Sequence, residues 1–282
     1  MKQNLWNPHP YLWVLFLPLL ACTQSPFGAR QALRSEDTLR GRAKLKDRGP
    51  HDGIYVWMEK ANLGTFTDAD GKFVLRLSPD AHAALNGTDR LFFYVANYDV
   101  ATVSVLLRAG QFVYGQGDVD EQGVLRKVVM LNKLLHIRTL VVPKWAHGRF
   151  RGPINVLTTL QATHDTVRVA FPGSVGGLLG GILFRNVKTN QVYPGVYDPG
   201  AKGKLIDLIG LQPRSRRLIF QLHRLEFRLP VGQYEVIPYL LVLQPEVPPA
   251  LIQSLGENVQ ELGPDYLKIP FRRQGGDFRI ID

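Results

Sequence analysis

Along most of the chain, hydrophobic and polar residues alternate with a period of two, in short runs separated by Gly, Pro, Asn and Asp clusters. That is the period of a pleated strand with one buried face, because successive side chains point to opposite sides. In the first half the runs are 42–45 (RAKL), 54–58 (IYVWM) and 73–77 (FVLRL). Asp47, Gly49, Pro50, Asp52 and Gly53 form a turn between the first two, being residues that tolerate positive φ or bond their own backbone. Residues 64–77 read as strand, Asp/Gly turn, strand, with Phe73, Leu75 and Leu77 on one face. In the second half, strand-like runs cover 136–142, 154–160, 166–171, 181–187, 216–227 and 233–243. Within 216–227 the apolar parity flips: Leu218, Phe220 and Leu222 are even, whereas Leu225, Phe227 and Leu229 are odd. This predicts a bulge or turn at His223-Arg224. Pro238 predicts an edge strand or a bulge, since it cannot donate to a ladder.

The pattern changes again after residue 245. Leu251, Ile252, Leu255, Val259 and Leu262 share one side of a helix over 250–262, weakened at Gly256. The tail 266–281 predicts one or two further strands. The expected fold class is therefore all-β: two tandem β-sandwich domains at 39–135 and 136–245, then a short helix and C-terminal tail over 246–282. Composition agrees, with 27 Gly and 19 Pro against 3 Met in 282 residues, a length that supports two ordinary cores.

The first 38 residues obey another rule. Residues 1–10 are polar with Lys2, and 11–21 form an apolar run broken by Pro18, shorter than the roughly 20 residues a membrane helix needs. The run ends in Leu19-Leu20-Ala21-Cys22, and Cys22 is the sole cysteine, so it closes no bridge within the chain. This segment resembles the lipobox of bacterial lipoprotein signal peptides, where a small residue precedes the modified cysteine. The resemblance implies removal of the signal peptide 1–21, a diacylglyceryl group on the Cys22 sulfur and a fatty acyl chain such as palmitate on the new amino terminus. Several chains make such a membrane anchor stable, each buried methylene contributing about 0.8 kcal/mol. Thr23, in place of the Asp that retains lipoproteins in the inner membrane, favours the outer membrane. An ordinary signal peptide cut nearby, or an uncleaved anchor, is the alternative. Residues 22–38 then carry the lipid and a polar tether.

Gly53-Ile54-Tyr55-Val56, Thr67-Asp68-Ala69-Asp70-Gly71-Lys72-Phe73 and Val95-Ala96-Asn97-Tyr98 together resemble the carboxypeptidase regulatory-like domain, a transthyretin-like β-sandwich of envelope proteins. The resemblance covers about 39–135 and implies a non-catalytic accessory domain. Asn97 stands where the family has Gly, and Leu85-Asn86-Gly87-Thr88-Asp89 replaces its Pro-Gly-x-Tyr turn. Leu229-Pro230-Val231-Gly232-Gln233-Tyr234-Glu235-Val236 is similar to the Pro-x-Gly-x-Tyr-x-Val strand start of related transthyretin-like and Ig-like modules.

The net charge of +10 is unevenly placed. Residues 36–135 carry 13 Lys and Arg against 13 Asp and Glu, and residues 136–282 carry 18 against 11. Arg214, Arg216, Arg217, Arg224 and Arg228, with Lys268, Arg272 and Arg273, form a candidate patch for an anionic partner, the alternative being solvated strand faces and cationic edge protection. Tyr55 and Trp57 form a candidate aromatic platform for a glycan, with Trp145 as a third aromatic, the alternative being burial against the second domain. No catalytic, metal or cofactor set has the required spacing. Asp68-x-Asp70-Gly71 and Asp118/Asp120/Glu121 are fragments of a calcium loop without its distal Glu. Ser174 lacks the glycine two residues before it that a nucleophile elbow needs, and its Gly-rich segment lacks a Gly-Lys-Ser/Thr ending. The histidines are scattered, and no nucleic-acid motif occurs. The expected function is a non-enzymatic lipoprotein of the cell envelope acting as a binding or structural module. Its partners are the membrane, through lipid, and an envelope protein or glycan. The alternatives are an envelope glycan or peptide hydrolase using carboxylates such as Asp118 and Glu121, and a carbohydrate-binding protein.

Overall fold

The computed structural model describes residues 34–47, 49–174, 178–195 and 203–282. The signal peptide, Cys22 and the tether as far as residue 33 lie outside the described residues. Arg34–Asp282 form one compact unit, nearly all strand.

In its N-terminal half, strand Thr38–Leu45 lies between Lys72–Arg76 and Val129–Leu131 in a three-stranded sheet. Facing it is a six-stranded sheet in the order Ser35–Glu36, Gln111–Val113, Ala101–Arg108, Gly87–Tyr94, Tyr55–Met58, Leu63–Phe66. Leu39, Ala43, Phe73 and Leu75 from one sheet meet Val56, Leu91, Phe93 and Val105 from the other, which makes a sandwich core. The Asp/Gly turn is not the hairpin its sequence suggests. Leu63–Phe66 pairs with Tyr55–Met58, whereas Lys72–Arg76 pairs with Thr38–Leu45, so the turn carries the chain from one sheet to the other. Asp68 Oδ1 accepts from Asp70 N at 3.0 Å and Lys72 N at 2.8 Å, which sets the bend. Gly71, at φ +78°, is required there: a Cβ would stand 2.0 Å from the Ala43 carbonyl oxygen.

The C-terminal half opposes a four-stranded sheet (Arg214–Phe220, Ile154–Ala162, Leu135–Val142, Gln274–Gly275) to two others. One is five-stranded, in the order Trp145–His147, Asp277–Ile281, Gly232–Pro238, Ile182–Asn186, Val192–Pro194. The second is three-stranded, with Val167–Pro172 between Lys204–Ile209 and Leu241–Leu243. Alternation is strict in Leu135–Val142: Leu135, Ile137, Thr139 and Val141 face inward, and His136, Arg138, Leu140 and Val142 face out. The parity flip has a structural cause. The strand ends at Phe220, a 3-10 turn spans Leu222–Arg224, and Leu225, Phe227 and Leu229 then pack on the same core. Tyr234 donates its hydroxyl to the Pro230 carbonyl at 2.7 Å, which accounts for the spacing of Pro, Gly and Tyr at that strand start.

Two local expectations fail. Pro238 does not mark an edge: Gly232–Pro238 lies inside its sheet, and the proline is its last residue, where a missing N–H interrupts little of the ladder. The helix covers only Pro249–Ser254, and Gly256 at φ +145° prevents its extension to 262.

A third core joins the halves. Tyr55, Trp57, Phe92 and Tyr94, on the outer face of the six-stranded sheet, pack with Leu183, Ile237, Tyr239 and Leu241 of the C-terminal sandwich. Leu251, Leu255 and Tyr266 of the C-terminal segment close over them. Asn97 stitches the seam: its Nδ2 donates to the carbonyls of Leu135 and Arg272, both at 2.9 Å, and its Oδ1 accepts from Arg272 N at 2.9 Å. Asn97 thus ties three segments together.

Candidate functional site

Beside this shared core runs a cleft of about 860 Å³, within the size range of ligand sites. The N-terminal sandwich contributes Tyr55 and Phe66, directly opposed on neighbouring strands, with ring centroids 4.9 Å apart. Gly64 makes this wall possible, because the Tyr55 ring lies across it: a Cβ there would meet the phenolic oxygen at 2.1 Å. Burial pushes the Tyr55 phenol up in pKa, and its hydroxyl pairs with Ser254 Oγ at 2.9 Å. Phe66 is 49% exposed and gives the wall its open face.

The opposite wall is cationic. Arg185 comes from the five-stranded sheet, and Lys268, Arg272 and Arg273 come from the C-terminal segment; the lining carboxylates are Asp52 and Glu235. Arg185 pairs with Glu235 Oε2, and Arg272 Nη2 binds both the Asp52 carbonyl and Asp52 Oδ1, the latter at 3.3 Å. Lys268 holds Asp265 at 2.8 Å in an exposed pair. Arg273 has no carboxylate partner among the described residues. Its guanidinium lies 4.0 Å from the Phe271 ring centroid and 5.3 Å from that of Tyr266, and donates to the Tyr266 hydroxyl at 3.0 Å. Cation–π stacking therefore holds it in place without neutralising it. The Nε–H groups of Arg185, Arg272 and Arg273 are all buried without an acceptor among the described residues.

No protein-family model matches the chain, and no curated protein does. Among solved structures it is similar to the major pilin subunit of Bacillus cereus, at 10% identity and a TM-score of 0.26, over 74% of this chain and 69% of that one. It is also similar to the Bacillus anthracis TIE protein, at 11% identity and a TM-score of 0.23, over 87% of this chain and 34% of that one. At those values neither likeness decides fold or function, and the site rests on its own residues.

The sequence-derived candidates are distributed as follows. Tyr55 and Trp57 share a face, as alternation requires, but that face is not an open platform: they are 5% and 1% exposed. Trp57 donates its indole N–H to Asn62 Oδ1 at 3.0 Å, and only the edge of Tyr55 reaches the cleft. Trp145 is 60% exposed on its own strand. The five arginines do not form one field. Arg214 and Arg216 converge on the buried Asp207, at 3.6 and 2.8 Å. Arg217 alternates to the other face and binds Asn155 Oδ1 at 3.0 Å, and Arg224 and Arg228 stand exposed in the following turn and loop. Lys268, Arg272 and Arg273 do come together, in the cleft. Asp118 and Glu121 are exposed on a loop of the N-terminal sandwich, where Asp120 Oδ1 caps Gln122 N and Val124 N. Ser174 donates its hydroxyl to the Leu178 carbonyl. No group of three or more potential metal ligands occurs among the described residues.

Arg185, Glu235, Asp52 and Phe66 carried no local signal, being far apart in sequence. One was present for the covered face: in 54–58 the positions alternating with Ile54, Val56 and Met58 are the aromatics Tyr55 and Trp57, and 91–96 likewise carries no charged or amide side chain, the composition of a strand buried on both sides.

Proposed function

We propose that the protein is a non-enzymatic lipoprotein of the cell envelope, anchored to the outer membrane through lipid on Cys22, whose folded part serves as a binding or structural module. On this reading the N-terminal sandwich is of the carboxypeptidase regulatory-like, transthyretin-like kind, and the cleft is where the module meets its partner. The observation that carries the non-catalytic part is the state of the cleft carboxylates. Each is engaged by an arginine, Glu235 by Arg185 and Asp52 by Arg272. Glycoside hydrolysis needs two carboxyl groups disposed across a bond with one free to give up a proton. Two carboxylates that brace a cationic wall suit recognition instead.

Mass spectrometry of the native protein tests the anchor. The expected product begins at Cys22 with a diacylglyceryl thioether, and residues 1–21 retained above an unmodified sulfur would overturn it. Incubation of the purified protein with peptidoglycan and envelope polysaccharide tests the rest: release of new reducing ends or peptide termini would make it a hydrolase. Carbohydrate binding is the second reading, favoured by the Tyr55–Phe66 wall facing polar side chains.

A further inference from the structure

We propose that the cleft binds an acidic oligosaccharide, with a sugar ring against the Tyr55–Phe66 wall and its carboxylate or phosphate on Arg273, flanked by Arg185, Arg272 and Lys268. This deepens the binding-module reading and rests on it.

Three features of the cleft converge on that chemistry. The aromatic wall offers the cleft mainly Phe66, which is 49% exposed, with the edge of the buried Tyr55 beside it, the two being directly opposed on neighbouring strands. An aliphatic sugar face is the surface such a wall accepts. Both hydrogen-bonding polarities are available opposite it. Asp52 and Glu235 each meet arginine through one carboxylate oxygen, Oδ1 and Oε2 respectively, so Asp52 Oδ2 and Glu235 Oε1 remain to accept from sugar hydroxyls. A peptide rich in Asp and Glu brings no hydroxyl donors to those two oxygens, whereas a sugar does. The charge balance supplies the third: four cations line the cleft against two carboxylates. The excess is localised on Arg273, whose stacking on Phe271 and bond to Tyr266 fix its position before any ligand arrives. A guanidinium held in place and lacking a counter-ion loses little freedom on binding an oxyanion, which is what makes a preorganised anion site effective.

The test is calorimetric titration of the full-length protein in neutral detergent with trigalacturonic acid, its carboxyl-reduced neutral form and inorganic phosphate. The acidic trisaccharide is expected to bind about tenfold or more tightly than the neutral form, the effect of one charge-assisted hydrogen bond. That margin should shrink as salt is raised. Arg273→Gln should erase the margin while leaving the neutral form unchanged. Lys268→Gln should reduce it and, being exposed, serves as the variant that keeps the fold. Phe66→Ala should weaken both sugars alike. Equal affinity for the acidic and neutral forms would overturn the anionic assignment and leave the cleft a glycan site. Phosphate binding as tightly as the trisaccharide would overturn the saccharide half. Binding of none of the three would overturn the proposal outright, whereas the mass of the Cys22 peptide would still decide the envelope anchor separately.

Discussion

Two sheet faces in this molecule obey the same alternation and meet opposite fates. On the six-stranded sheet, Tyr55, Trp57, Phe92 and Tyr94 point away from their own sandwich core and are buried by the other half. On the four-stranded sheet, Leu140, Leu157, Val142 and Ile219 also point away from their core, yet they are 36–50% exposed, beside Arg138 and Arg217. The cross-strand partners differ in kind. Trp57 opposes Phe92 and Tyr55 opposes Tyr94, whereas Leu157 sits between Leu140 and Arg217, and Asn155 between Val142 and Ile219. Period two says which residues share a face. Whether a partner covers that face is decided by the polar residues interleaved on it, which make desolvating the second face costly and the first favourable.

The sharpest way to break this comparison is Trp57→Ala. The residue is 1% exposed and touches Phe92 at a ring separation of 5.6 Å, so its loss should cost about 3–5 kcal/mol in a urea titration. A cost under 1 kcal/mol would mean the halves do not depend on the shared core.

Asn97→Ala asks whether the seam relies on polar stitching as well. It removes three hydrogen bonds and leaves the Arg272 N–H and two carbonyls without that partner, for an expected loss of about 2–3 kcal/mol. Hydrogen exchange at Arg272 and Leu135 should quicken with it, and unchanged protection there would place the seam's strength in the apolar contacts alone.

How much of this was legible beforehand follows the range of the interactions. Leu135–Val142 could be read residue by residue, because its faces depend only on its own alternation. The turn at His223-Arg224 was legible for the same reason. The pairing of Lys72–Arg76 was not, since its partner Thr38–Leu45 lies some thirty residues earlier and the adjacent Leu63–Phe66 offered a local alternative that the fold declines. The cleft was least legible. Arg272 and Arg273 are legible as cations, but their meeting with Arg185, and the place of Tyr55 at a cleft wall rather than on an open platform, depend on where the C-terminal segment returns. Short-range patterns do not encode that return.

A pH titration separates the connection between the halves from both faces. Burial pushes the Asp47 carboxyl up in pKa, but hydrogen bonds from Lys133 and Tyr98 and the Lys133 charge outweigh it, so it lies below the ordinary carboxylate value. A depressed folded-state pKa means stability present above the unfolded value of about 3.9 and lost as pH falls through the folded one. Urea midpoints should therefore fall from about pH 4 downward, and Asp47→Asn should flatten part of that fall. An identical acid limb in the variant would show that the Lys133 contact does not bind the connecting segment to the first sandwich.

A smaller effect of opposite sign is expected inside the C-terminal sandwich. Thr139 and Thr158 face each other across neighbouring strands, and both buried hydroxyls lack a partner among the described residues. Thr158 is fully buried, so Thr158→Val keeps the shape, removes an unsatisfied group and should raise stability by about 1 kcal/mol.

The smallest effect belongs to the uncovered face, and it decides whether the opening contrast holds. Ile219 is 50% exposed and opposes Asn155, so Ile219→Thr, which keeps the β-branch, should change stability by less than about 0.5 kcal/mol in the isolated protein. Arg217 and Arg138 flank that apolar strip, and Arg217 lies on the outer strand of the sheet, where a cation discourages pairing with another sheet. If instead Ile219→Thr lowered the unfolding midpoint by an amount that grew with protein concentration, the face would be desolvated between copies. The difference between the two faces would then be one of partner, intramolecular for Trp57 and intermolecular for Ile219, rather than of burial.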